Sequence, residues 1–284
     1  MAFREKIKLT SYDELLGVNK DGTIEVEISR LHSFKNHPFK VVDDEKMNEL
    51  AESIKLNGVL SPALARMRED GEYELISGHR RRRACEISGI NKMPVIVKEL
   101  SDDEATILMV DANIQREEIL PSEKAFAFKM KMEAMSHQGK NEGTDLTANV
   151  IGRDNGVSGR QVQRYIRLTL LIPELLQLVD DKKLSLVMGV NISYFEDEFQ
   201  QIIYENMLKG NYINNEQIKE LRNSDEVTVE DLEDLLNPNM KVKKLCKVTL
   251  TERKLAKYFP TGATRQDMEE VIFTLLDKWK SESD

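Results

Sequence analysis

Gly78-His79-Arg80-Arg81-Arg82-Arg83-Ala84 stands where one periodicity gives way to another, and its reading decides how the N-terminal part of the chain folds. Before it, Tyr73-Glu74-Leu75-Ile76 alternates in the manner of a half-buried strand. After it, Arg80 to Ser88 reads as a helix ended by Gly89. Glycine at a strand-to-helix turn lets the backbone approach a ligand closely. The helix N-terminus that follows offers N–H groups and a partial positive charge. Arginine opposes the macrodipole there, so a cluster of four implies an anion that offsets the repulsion, phosphate above all. Consecutive helical positions point in different directions, so these arginines do not all serve one ligand. A solvated basic helix face is the plainest alternative.

A second segment favours the ligand reading. Asp111-Ala112-Asn113-Ile114-Gln115-Arg116-Glu117 closes another expected helix, which opens with the capping box Ser101-Asp102-Asp103-Glu104. It carries amide, acid and guanidinium groups of the kind that complete a phosphate and metal site.

Together these segments resemble the ParB-type partition proteins of chromosomes and plasmids. That family carries a Gly-Glu-Arg-Arg-aromatic-Arg-Ala box followed by a Glu-Asn-Ile-Gln-Arg box, which here read Gly78 to Ala84 and Ala112 to Arg116. Other stretches agree in order. They are Leu50 to Lys55, Gly58-Val59-Leu60-Ser61-Pro62, Pro94 to Val97 and Pro121-Ser122-Glu123-Lys124-Ala125. The resemblance covers roughly residues 25 to 190.

Composition is compatible with this. The chain has 284 residues, 40% hydrophobic and 32% charged, enough for two or three compact units. Apolar runs are short and interrupted, so no membrane span is expected, and Met1 to Leu9 lacks the apolar core of a secretory signal. The cysteines, Cys85 and Cys246, have no metal-ligand spacing and suit a reducing cytoplasm. A net charge of −9 argues against indiscriminate coating of nucleic acid but leaves room for local basic surfaces.

The expected fold class is α+β in four parts. Residues 1–20 form an arm. Residues 21–120 form a small mixed α/β nucleotide-binding domain with strands near 24–28, 62–67, 73–77 and 93–98. Its first helix places Met47, Leu50, Ala51 and Ile54 on one face, with Asp43 or Asp44 at its start and Asn57-Gly58 at its end. Residues 121–236 form an all-α helix-turn-helix domain. Within it, Ser122 to Met135 is a helix burying Phe126 and Met130, Thr147 caps a helix and Gly152 sits at a close contact. Gly156 makes the turn, Val157 plugs the core and Ser158 caps a second helix with Val162 and Ile166 inward. Residues 237–284 form a small α/β segment with a strand at 247–251 and an apolar stripe through Met268, Val271, Ile272, Leu275, Leu276 and Trp279. Too little chain accompanies that stripe to bury it, which suggests a homodimer contact or packing on the central domain.

Ser158, Arg160, Gln161, Gln163, Arg164 and Arg167 are the candidate DNA-binding residues, polar groups of the kind that meet base edges and phosphates in the major groove. The resemblance implies a CTP-dependent clamp on double-stranded DNA with Mg²⁺ as second cofactor. It assigns Gly78, His79, Arg80 and Arg81 to the nucleotide, Gly58 and Pro62 to the base pocket, Arg116 to phosphate or to bracing, and Asn113 to the metal. It also implies a nucleoid- or plasmid-associated location in the cytoplasm and a ParA-type ATPase as partner, engaged through a basic N-terminal peptide with Arg4, Lys6 and Lys8. Three positions depart from the family: His79 and Ala112 replace glutamates, and His37-Pro38-Phe39 replaces a Gln-Pro-Arg element tied to turnover. Binding is therefore expected to outlast hydrolysis, and no catalytic residue is assigned. Two other readings stay open, a plain site-specific regulator and an enzyme on the same fold, either a sulfiredoxin-like reductase or a nuclease.

Overall fold

A computed structural model describes residues 22–137 except 115 and 117, then 144–210, 214–223 and scattered positions from 258 to 278. The chain divides into two compact units, Met1–Pro238 and Asn239–Asp284. No helix among the described residues is long and apolar enough to cross a membrane.

The first unit opens on a five-stranded mixed sheet of β1 (Thr23–Glu27), β2 (Leu31–Ser33), β3 (Ala63–Met67), β4 (Tyr73–Ser77) and β5 (Lys92–Val97), in the order β1-β5-β3-β4-β2. β1 pairs antiparallel with β5 and β3 with β4, while β5 with β3 and β4 with β2 run parallel. Strand alternation sorts the central side chains to opposite faces. Ala63, Ala65 and Leu75 pack with Met47, Ala51, Ile54, Ala84 and Cys85 from α1 (Glu45–Asn57) and α2 (His79–Ser88). Leu64 and Ile76 pack on the other side with Ala105, Leu108 and Met109 of α3 (Asp102–Ile114) and Ala127 of α4 (Pro121–His137).

Local chemistry explains the element ends. Asp44 caps α1 by accepting from the Met47 N–H at 2.8 Å, and Gly58 ends the helix at φ 73°. Of the two expected caps, Asp43 is instead engaged with Arg83. The Ser101–Glu104 capping box forms, with the Ser101 N–H donating to the Glu104 carboxylate at 2.9 Å and the Glu104 N–H donating to Ser101 Oγ at 3.3 Å.

The helical part follows from α4. The pair α5 (Thr144–Asp154) and α6 (Gly159–Arg167) forms the helix-turn-helix, and α7 (Pro173–Asp180), α8 (Leu186–Ile192), α9 (Asp197–Leu208) and α10 (Asn215–Arg222) complete the unit. Two expectations need correction here. Phe126 is 42% exposed, because Ala125, Ala127 and Phe128 take the buried face of α4. α5 begins at Thr144, so Thr147 lies inside it, buried, rather than at its cap.

The strand β4 also differs from its half-buried reading, since all five residues are buried. A half-buried alternation would leave the charged residue, Glu74, to solvent. It instead pairs with Arg66 at 2.6 Å and accepts from the Lys35 N–H at 3.1 Å. A buried carboxylate is tolerable when its oxygens are met in this way.

Candidate functional site

Gly78 opens α2 in the left-handed region, at φ 105°. A Cβ built there would lie 2.8 Å from the Ala63 Cβ, so this turn rejects any side chain on steric as well as dihedral grounds. The close approach sets the first turn of α2 against the end of β3, with N–H groups that no helical carbonyl satisfies. This is the geometry of an anion-receiving helix N-terminus.

The four arginines disperse as their succession on a helix requires. Arg81 donates to the carbonyls of Ser61 and Pro62, the latter at 2.7 Å, and so braces the loop from Gly58 to Pro62. Arg83 grips Asp43 through two hydrogen bonds and holds its carboxyl below the usual carboxylate range. Arg80 lies 3.8 Å from Asp44, and Arg82 reaches Ser33 Oγ at 3.3 Å and Glu86 at 3.2 Å. Three of the four arginines are thus paired with acids, Asp43 and Asp44 before α1 and Glu86 of α2 itself, and Arg80 has the loosest of these pairings.

His79 does not face solvent. Its ring is 5% exposed and packs 3.8 Å, centroid to centroid, from that of His37. Burial drives both imidazoles well below their ordinary value of 6.5, His79 to about 3 and His37 to about 4, and Arg116 lowers both further. Two of the three family departures are therefore one contact. Sequence could not show this, because the two positions lie far apart in the chain.

Asn113 is buried at the end of α3, where its Nδ2 donates to the Met109 carbonyl at 2.7 Å. Arg116 follows, with its guanidinium 5.7 Å from the Phe39 ring centroid. Asp111, next to the substituted Ala112, pairs instead with buried Lys131 at 2.5 Å, tying α3 to α4, while burial pushes its carboxyl up. Among the described residues no cluster of three His, Cys, Asp or Glu side chains could hold a metal. The donor set does not fit a preformed Mg²⁺ site, which needs carboxylate or phosphate oxygen beyond one amide. Cys85, the cysteine among the described residues, is buried, and burial pushes its thiol up, away from an activated thiolate.

In the helix-turn-helix, Gly156 turns at φ 67°. A Cβ on Gly152 would meet the Val157 carbonyl oxygen at 2.5 Å, so the two helices cross at glycine distance. Ser158 caps α6 by accepting from the Gln161 N–H at 3.2 Å. Arg160, Gln161, Gln163 and Arg164 stand exposed on α6, while Ile151 and Val162 are fully buried beneath. Arg167 is placed differently. It donates to the Ser193 carbonyl at 2.9 Å and lies 3.9 Å from the Tyr194 ring centroid, bracing α6 against the end of α8.

The expected strand at 247–251 and the stripe residues Leu276 and Trp279 lie outside the described residues. Val271 and Leu275 are exposed, at 47% and 61%.

Residues 13–114 match the ParB N-terminal domain family. The chromosome-partitioning protein Spo0J of Thermus thermophilus is 32% identical over 168 residues, 59% of this chain and 58% of that protein. The nucleoid occlusion protein of Listeria innocua is 28% identical over 203 residues, 71% of this chain and 68% of that one. The chain spans 58% of the length of the Thermus relative. A crystal structure of C-terminally truncated ParB from Caulobacter crescentus, complexed to the centromeric parS site, is similar with a TM-score of 0.44 and 23% identity, over 70% of this chain and 98% of that one. Residues 13–114, the segment that carries the mixed sheet and the glycine-opened helix, are thus the part of the chain that matches the ParB N-terminal domain family.

Proposed function

We propose that this chain is a partition protein that binds a specific site on double-stranded DNA and whose hold on that DNA responds to CTP. One observation carries the nucleotide half: Gly78 places the first turn of α2 against β3 at a distance only glycine allows, with Arg80 and Arg81 at its rim. The first-turn N–H groups and Arg80 receive phosphate oxygens. Arg81 acts through the backbone, holding the Gly58–Pro62 loop as a wall for the base. His79 lines the interior of this site rather than its phosphate rim. Arg116 and Asn113 close the far side from the end of α3. The triphosphate supplies negative charge that the N-terminus and the arginines neutralise. A magnesium ion would arrive with the phosphates, since Asn113 offers one amide oxygen and Ala112 none.

For DNA, α6 enters the major groove with Arg160, Gln161, Gln163 and Arg164 towards base edges and phosphates, and the Ser158 cap sets its N-terminus at the backbone. Arg167 keeps α6 in place. A homodimer through residues 237–284, a ParA-type ATPase met through the N-terminal arm, and a nucleoid or plasmid location complete the proposal.

Calorimetry with CTP tests the nucleotide half. Arg80→Ala removes a charge-assisted contact worth about 1.5–3 kcal/mol, so affinity should fall roughly ten- to hundredfold. A wild type that binds no CTP, with or without its DNA site, leaves a plain site-specific DNA-binding protein.

A further inference from the structure

The rings of His37 and His79 meet at 3.8 Å, tilted by 36°, with their hydrogen bonding incomplete. Among the described residues, the buried side-chain atoms without a partner are His37 Nε2, His79 Nδ1 and Arg82 Nε. Buried polar atoms are seldom left so, and each one costs free energy until something meets it.

The partners that are present fix both tautomers. His37 Nδ1 lies 2.7 Å from the Phe39 carbonyl oxygen, which can only accept, so Nδ1 carries the proton and Nε2 is a bare acceptor. The Phe34 N–H donates to His79 Nε2 at 3.4 Å, so that nitrogen is bare and Nδ1–H is a donor. Two adjacent rings therefore present one unmet acceptor and one unmet donor. A metal ion does not suit this arrangement. One of the nitrogens carries hydrogen, and Arg116 and Arg82, the charged groups acting on the pair, repel cations. A bare phosphate oxygen satisfies only the donor. An oxygen that both gives and takes a hydrogen bond satisfies both.

We propose that His37 and His79 form a neutral donor–acceptor site for a hydroxyl oxygen, supplied either by the sugar of a bound nucleotide or by a single water. The oxygen accepts from His79 Nδ1–H and donates to His37 Nε2. Both rings stay neutral near pH 7 through burial, which keeps the acceptor available. The sugar source rests on the nucleotide reading above, whereas the water source does not.

The full chain is titrated by calorimetry with CTP and its 2′-deoxy and 3′-deoxy forms, as wild type, His37→Phe, His79→Phe and His37→Gln. The wild type is also crystallised free. A sugar hydroxyl predicts about a tenfold loss of wild-type affinity for one deoxy form. His37→Phe and His79→Phe then lose about as much for CTP and nothing further for that form, and His37→Gln, which restores an acceptor, recovers CTP affinity. A water predicts equal affinity for all three nucleotides, and an ordered oxygen within hydrogen-bond distance of both His37 Nε2 and His79 Nδ1 in the crystal. If a phenylalanine variant does not fold, the wild-type titrations and crystal decide alone. Equal affinities with no bridging oxygen would overturn the proposal. Absence of CTP binding removes the nucleotide reading only, and the crystal then decides the histidine site by itself.

Discussion

At the residue scale, burial rather than identity sets the state of the decisive groups. His37 and His79 are the clearest. Folded, they hold protons only below about 4 and about 3, whereas in the unfolded chain they regain the ordinary value of 6.5. Between those limits the unfolded state binds more protons, so stability is full above pH 6.5 and is lost as pH falls towards 4. We expect denaturant titrations to show a loss on the order of 3 kcal/mol from each imidazole across that window. His79→Phe should visibly flatten the profile, and an unchanged slope in the variant would remove the pair from the explanation. Gly78 and Arg81 obey the same logic, one chosen for lacking a side chain and the other for reaching two backbone carbonyls.

At the element scale, the sequence announces what is local and hides what is long-range. The caps of α1 and α3, the glycine ends of α2 and the Gly156 turn were all legible, because a cap or a turn needs only its own few residues. The strand β2 was not, since three residues give no period to read. Glu74 misled because its partner Arg66 sits on the neighbouring strand, and an alternation cannot distinguish water from a paired cation. Phe126 misled in the same way, its face decided by how α4 meets α3. Arg167 of α6 carries a long-range contact of its own. Its spacing matches that of a DNA-facing arginine, yet its guanidinium is held by Ser193 and Tyr194. Arg167→Ala should therefore lower folding stability by about 1–3 kcal/mol in denaturant titration. Arg164→Ala should leave stability within about 0.5 kcal/mol, and should weaken DNA binding with a salt slope reduced by about one unit if it contacts phosphate. The reverse pattern would exchange their roles.

At the scale of the whole molecule, the proposed nucleotide site and the helix-turn-helix belong to one compact unit, joined along α3 and α4. The Lys40 N–H donates to Glu123 of α4 at 2.7 Å, so the segment carrying His37 and Phe39 touches the start of the helical part directly. We expect a ligand that reorders that segment to bias α4 through this contact, and through α4 the packing beneath α6. If CTP and DNA bind as proposed, such coupling is a free energy shared by two sites, and each ligand must strengthen the other's binding or each weaken it. The second unit, Asn239–Asp284, is where we place dimerisation. A chain ending at Pro238 should sediment as a monomer, with its helical content otherwise kept, and a truncated chain that stays dimeric at low micromolar concentration would move the contact elsewhere. The most direct test of the coupling is retention on a closed DNA circle carrying a site selected by the protein itself. Magnesium CTP should prolong retention on the closed circle, ATP and GTP should not, and cutting the circle should abolish the gain. Retention that is the same with and without CTP would contradict the account.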